Sequence, residues 1–269
     1  MIRLIALDLD NTLLEKDNEI HPKALGLLRS LAASGTVVTL ATGRIYLSAK
    51  KYAEEIGGIS SCRSGGCKIV CYNGSLVTEA DGTPLFSAFL PVNTMKKVVS
   101  FCKQRGLYCQ FYKDHKILVE KVTEGTTIDP DLANTAAIEA GDFENYDFSP
   151  SPKAMIVTPP EKTAAYQAEL AGYLGGEAYL AQSQPYLIEI MPKGVNKAHS
   201  LSLLCEKLGI DRSDVMACGD NTNDAEMIKW AGVGVAVANS VDSLKAAASY
   251  VSVSERSLGV AEAIEKFCL

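Results

Sequence analysis

Short apolar runs alternate with helical patterns at both ends of this chain, and that alternation restricts the fold more than any other feature. Residues 2–7, 37–40 and 68–72 read as buried strands, and 21–33 and 45–56 as helices. In the first helix Ala24, Leu25, Leu27, Leu28 and Leu31 mark one apolar face, and Gly35 closes it. The same grammar returns late in the chain. Helices are expected over 198–208, 225–231, 241–248 and 260–267, and strands over 214–218, 233–238 and 250–253. Strands that are apolar throughout and alternate with helices form parallel βαβ units, covered on both faces. Polar and glycine-bearing segments then fall at the carboxyl ends of the strands, where open α/β sheets bind ligands. The fold class expected is α/β, a Rossmann-like three-layer α/β/α core on a parallel sheet.

The middle of the chain breaks this rhythm. Between residues 83 and 190 lie hairpin-like strands, helices over 94–105 and 161–173, and a loop rich in Asp, Pro, Ser and Gly from 125 to 152. An inserted α+β domain is expected there, with the core made of 1–82 and 191–269. At 269 residues the chain has room for both.

Composition narrows the partners. A net charge of −6 argues against nucleic acid, whose phosphate backbone calls for a basic face. No run approaches the ~20 apolar residues that would span a bilayer, so no membrane partner is expected. The N-terminal apolar stretch is broken by Asp8 and Asp10, unlike a signal peptide. The expected location is cytoplasmic, as a monomer or weak homo-oligomer. Eight scattered cysteines are then expected to stay reduced and to pack as small apolar residues. Cys62, Cys67 and Cys71 are close enough to raise a zinc site, but they lack a close CxxC pair and a nearby histidine. A Gly/Ser-rich loop entering a strand is the alternative.

The first strand ends in ALDLDNTLLE, which delivers Asp8 and Asp10 one residue apart. Side chains at i and i+2 of a strand point the same way, so both carboxylates would approach one space if the strand persists. Unpaired, they are unfavourable there, and a divalent cation with oxygen ligands makes the arrangement favourable. A helix cap or an Asx turn is the competing reading. Three further segments bear on the choice. Thr42 and Gly43 follow the second strand, and a hydroxyl and a backbone N–H suit a phosphate oxygen. Lys197 opens a helix, where a cation could hold phosphoryl oxygens. Asp220, Asn223 and Asp224 follow another buried strand in ACGDNTNDAEM, as acids and an amide able to complete a metal and phosphate site.

Taken in order, Asp-x-Asp-x-Thr, Thr-Gly-Arg, a lysine before a helix and Gly-Asp-x-x-Asn-Asp resemble the four motifs of the haloacid dehalogenase superfamily. The phrases NGS, PKGVNKAHSL, GDNTNDAEMI, GVGVAVAN and LGVAEAIEKF resemble its Cof-type subgroup of sugar-phosphate phosphatases. The resemblance covers both ends of the chain, and the insert matches in position and length only. It implies a magnesium-dependent phosphatase of small phosphate monoesters, with the insert as a cap of the C2B type. Asp8 would be the nucleophile and a Mg2+ ligand. Asp10 would be the general acid and base, with its backbone carbonyl on the metal. Thr42, Gly43, Lys197 and Asn223 would hold the phosphoryl group, together with the backbone of Leu9. Asp220 would ligate the metal, and Asp224 would support the metal shell or orient the lysine. Arg44 and Asn73 could touch substrate.

One position departs from the family pattern, which most often has glycine where Asn11 stands. Asparagine tolerates a positive φ well, so the turn is expected to survive. Two other activities fit parts of the pattern: a phosphosugar mutase on the same scaffold, and a non-enzymatic aspartyl phospho-acceptor. The large insert between the second and third motifs favours the phosphatase. The physiological substrate is not legible.

Overall fold

The computed structural model describes residues 1–57, 67–128, 131 and 135–269. In chain order the elements are β1 (Leu4–Leu7), α1 (Pro22–Ala33), β2 (Val37–Ala41), α2 (Tyr46–Ile56), β3 (Lys68–Cys71), β4 (Leu76–Glu79) and β5 (Pro84–Ser87). Next come α3 (Val92–Arg105), β6 (Tyr108–Lys113), β7 (Lys116–Val119), α4 (Glu124–Thr127), β8 (Ala137–Glu139), β9 (Ala154–Val157), α5 (Thr163–Leu174), β10 (Ala178–Ala181) and β11 (Leu187–Pro192). The chain closes with α6 (Lys197–Leu208), β12 (Val215–Gly219), α7 (Ala225–Trp230), β13 (Val233–Ala236), α8 (Asp242–Ala247), β14 (Tyr250–Val251) and α9 (Arg256–Phe267).

The chain forms two compact units, residues 1–86 with 196–269, and residues 87–195. The first contains a sheet of order β14-β13-β12-β1-β2-β3-β4-β5. From β14 to β3 the neighbours run parallel. β1 lies at the centre, and its last residue, Leu7, is in register with Leu40 of β2 and Cys218 of β12. The carboxyl ends of these strands therefore open at one level. Leu4, Ala6, Val37, Val215 and Ala217 pack with Leu201 and Leu204 of α6 and Met227 and Ile228 of α7. The alternate residues, Ile5, Leu7 and Val38, are as deeply buried and face the opposite side of the sheet. α1 packs against both α2 and α9. The result is the expected α/β fold, with one exception: β4 runs antiparallel to β3, so that edge of the sheet is mixed.

The second unit holds a sheet of order β10-β11-β9-β6-β7-β8, antiparallel except between β7 and β8. Phe111, Ile156, Ile188 and Ile190 form its apolar core with Val98 and Phe101 of α3 and Leu170 and Leu174 of α5. The span expected to be a loop, 125–152, contains most of α4 and the whole of β8. The units meet in sequence a few residues beyond positions 82 and 190. β5 follows β4 into the first sheet, and β11 continues through Pro192.

Cys62 lies outside the described residues. Cys67 and Cys71 are buried thiols whose sulfurs approach the backbone carbonyls of Lys68 and Leu76. No described helix is long and apolar enough to cross a membrane.

Candidate active site

The site is assembled where β1, β2 and β12 end, in the first unit. Asp8 continues the backbone of β1, and its N–H donates to the carbonyl of Cys218 at 3.0 Å. The strand goes no further. Leu13 N–H bonds to Asp8 O at 3.2 Å and Leu14 N–H to Leu9 O at 2.9 Å, an i→i+5 pattern that makes one wide turn. Asn11 sits in this turn at φ 60°, the left-handed conformation that asparagine in place of glycine was expected to allow.

The strand that would aim Asp8 and Asp10 at one space does not persist to Asp10, and the two carboxylates take different partners. The Asp8 side chain is buried among other charged groups, whereas that of Asp10 is 40 % exposed and pairs with Arg44. Arg44 Nε donates to Asp10 Oδ2 at 2.9 Å and Nη2 to Oδ1 at 2.5 Å, a bidentate fork that fixes both carboxylate oxygens. Nη2 also reaches Asn18 Oδ1 at 3.2 Å.

Around Asp8 the chain gathers groups from far apart in sequence. Lys197, the first residue of α6, donates from Nζ to Asp8 Oδ1 and to Asp224 Oδ1, each at 2.7 Å. Its helix is started by Asn196, whose side chain accepts from His199 N–H at 2.8 Å. Asp224 Oδ2 accepts the backbone N–H groups of Asp220 at 3.0 Å and Asn221 at 3.1 Å, so this carboxylate ties the 220–224 turn to the lysine. Asp220 Oδ1 accepts from Thr12 Oγ1 at 3.2 Å. Gly219 leaves room for this: a Cβ there would lie 2.6 Å from the Asp224 carboxylate.

The remaining residues form a neighbouring wall. Thr42 is fully buried; its N–H donates to Val70 O at 2.8 Å and its hydroxyl accepts from Arg44 N–H at 3.1 Å. Gly43 lies in the same β2–α2 loop. Asn73, buried at φ 53°, bonds Thr42 O through its backbone and accepts from Asn223 Nδ2 at 3.3 Å. Gly74 adopts φ 110°, and a Cβ there would lie 2.8 Å from Ser200 Oγ of α6. Leu9 is buried. Thr12, Asn18 and Asn239 also join this network. The sequence signal for Thr12 was its place in the first motif, whereas nothing local marked Asn18.

Charge balance tests whether a cation fits. Asp8, Asp220 and Asp224 can bring one oxygen each within 4.8 Å of one another, and all three are buried. Against three carboxylates stands one ammonium, Lys197. Burial drives the Asp8 carboxyl well above its usual range; Lys197 opposes this, while Asp224, Asp220 and Asp10 add to it. Burial, then Asp224, push Asp220 up to about 7. Burial alone would lower Lys197, but Asp224 and Asp8 reverse this and hold it charged, above the usual lysine range. A site that resists ionising its own acids is one that a divalent cation with oxygen ligands would suit. Among the described residues no other group of acids, thiols or imidazoles meets in this way.

Comparisons with known proteins identify the family. A family model described as haloacid dehalogenase-like hydrolase matches residues 5–264. An HMP-PP phosphatase of Yersinia pestis is 30 % identical over 250 residues, covering 91 % of this chain and 87 % of that protein. A haloacid dehalogenase-like hydrolase from Bacteroides thetaiotaomicron superposes with a TM-score of 0.85 at 32 % identity, over 99 % of each chain. The HAD subclass IIB sugar phosphatase BT4131 shares the fold, with a TM-score of 0.81 at 21 % identity over 99 % of each chain. With its own motifs gathered at the strand ends and a match running almost from end to end, the chain belongs to the haloacid dehalogenase-like hydrolases.

Proposed function

We propose that this protein is a magnesium-dependent phosphatase of small phosphate monoesters that works through an aspartyl-phosphate on Asp8. The observation that carries the reading is the division of labour between the two aspartates. Asp8 is buried with Asp220, Asp224 and Lys197, whereas Asp10 is more exposed and held by Arg44. The similarity to an HMP-PP phosphatase supports phosphate-ester hydrolysis.

Asp8 and Asp220 would hold the Mg2+, with Asp224 and the Asp10 carbonyl in support. The bound ion would neutralise charge on the phosphoryl oxygens. Lys197 would take one Asp8 oxygen and a phosphoryl oxygen, leaving the second Asp8 oxygen to attack phosphorus. The P–O bond to the leaving group breaks as Asp10, which would have to turn out of the Arg44 fork and take up a proton beforehand, gives that oxygen the proton. Asp10 then removes a proton from water. The water attacks phosphorus, the Asp8–phosphorus bond breaks, and inorganic phosphate leaves. Thr42, Gly43, Asn223 and the Leu9 backbone would hold the equatorial oxygens, the positioning that phosphoryl transfer chiefly requires. Residues 87–195 would act as the cap that selects the leaving group.

Phosphate release from p-nitrophenyl phosphate and a panel of sugar and nucleoside phosphates tests this. Wild type should release phosphate only with magnesium, and Asp8→Asn should lose roughly a thousand-fold or more of the activity. No release across the panel with magnesium demonstrably bound would refute the reading. Isomerised sugar phosphate would make the protein a mutase, and an aspartyl-phosphate lasting minutes a phospho-acceptor.

A further inference from the structure

The turn that carries Asp10 is held from outside by residues that the proposed chemistry does not use. Asn239, just after β13, donates from Nδ2 to the carbonyl of Asn11 at 2.8 Å. The other end of the same amide, Oδ1, accepts the backbone N–H of Arg256 at 3.0 Å. These partners settle its orientation, because a carbonyl needs the NH2 end and an N–H needs the oxygen end. Both bridged residues are non-glycine residues at positive φ, 60° at Asn11 and 48° at Arg256. Each such residue carries a conformational cost of roughly 1–2 kcal/mol and persists only where its surroundings hold it. Two further bonds leave the start of α9 for the same turn. Ser257 Oγ donates to Leu13 O, and Arg256 Nη1 donates to Leu14 O at 3.3 Å. Ser257 Oγ also accepts His21 N–H at 3.2 Å, where the chain leaves the turn for α1.

We propose that Asn239 is a positioning residue for the reaction. By bridging two strained backbones it fixes the carbonyl of Asn11, and with it the direction of the flanking residues. Asp10 then meets Arg44, and Thr12 meets Asp220. The proposal rests on the reading of Asp10 as the acid and base. Asn239 itself touches no reacting atom.

Asn239→Asp is the sharpest test, since it keeps shape and the acceptor for Arg256 N–H but turns an oxygen towards the Asn11 carbonyl. Asn239→Ala, lacking both bonds, serves as the second variant. Both should fold and bind magnesium as wild type does. Their kcat should fall about 10- to 100-fold, as expected for a small misplacement of a catalytic group, with KM within about threefold. Hydrogen exchange reads the clasp without activity. The Leu13 and Leu14 amides, which close the turn on Asp8 and Leu9, should exchange at least about tenfold faster while those of β1 do not change. A folded Asn239→Asp with kcat near wild type, or with unchanged exchange at Leu13 and Leu14, would overturn the proposal. So would a kcat loss accompanied by faster exchange throughout the first unit. If wild type hydrolyses nothing, the phosphatase reading fails, the role in catalysis fails with it, and exchange alone reports whether the clasp exists.

Discussion

At Lys197 a single ammonium is shared between Asp8 and Asp224 at 2.7 Å each, with its side chain withdrawn from solvent. Burying such a group is expensive, and the cost is met only while its partners remain. Lys197→Met would leave these carboxylates clustered without their cation. Phosphate release should fall about 10²- to 10³-fold, the usual effect of removing one preorganised charge from a phosphoryl site. Stability near neutral pH should fall by roughly 3–5 kcal/mol, and by less in acid, where the carboxylates take up protons. Urea unfolding at two pH values checks the second part, and an equal loss at both would contradict it. Lys197→Arg should not restore activity, because a planar guanidinium does not fit a space built around a compact ammonium. Lys197 was legible as a residue type before a helix. Its bond to Asp224 was not, since that depends on how the turn after β12 folds back.

At the level of elements, the site residues sit at the first residue of a helix or in the turns that follow strand ends, so end geometry decides catalytic geometry. Asn196 illustrates this. Its side chain caps α6 on His199 N–H, and the next residue is Lys197. Asn196→Ala should cost about 1 kcal/mol of stability. It should also lower kcat by roughly tenfold, because the fraying turn carries the lysine. Asp211 caps the short turn before β12 in the same manner, bonding Ser213 N–H at 2.8 Å, but positions no site residue. Asp211→Ala should therefore destabilise the protein and leave kcat alone. Equal effects on kcat from both variants would show that the cap acts only through stability. The buried strands and long helices were legible because their apolar spacing has one physical solution. The end of β1 at Leu7 was legible too, where the apolar run stops. The wide turn after it was not, because its path depends on Asn11 taking a positive φ and on the bond from Asn239 far along the chain. β8 was hidden for a similar reason: a strand as short as Ala137–Glu139 is set by its pairing with β7 rather than by its own pattern.

The whole molecule feels the site through its charge. Asp8 lies 189 positions from Lys197, and Thr12 lies 208 from Asp220, so the acids meet only when the first unit is folded. Asp220, pushed up from 3.8 to about 7 by burial and by Asp224, binds a proton in the native protein that the unfolded chain has already released. Stability from this group is complete below about pH 4 and is lost as pH rises towards 7, on the order of 4 kcal/mol. Asp8, raised by the same burial, acts in the same direction. A cation bound by these carboxylates reverses the trend, since it prefers them ionised and stabilises only the folded form. Thermal unfolding of the metal-free protein should therefore show a midpoint that falls by several degrees between about pH 5 and about pH 8. Saturating magnesium should raise the midpoint little at the acid end and most at the alkaline end, so that the two curves diverge with pH. Asp220→Asn should flatten the metal-free curve and shrink the magnesium increment together, because one carboxylate produces both. A metal-free midpoint that rises across this window, or a magnesium increment independent of pH, would show that Asp8 and Asp220 do not form the cation site.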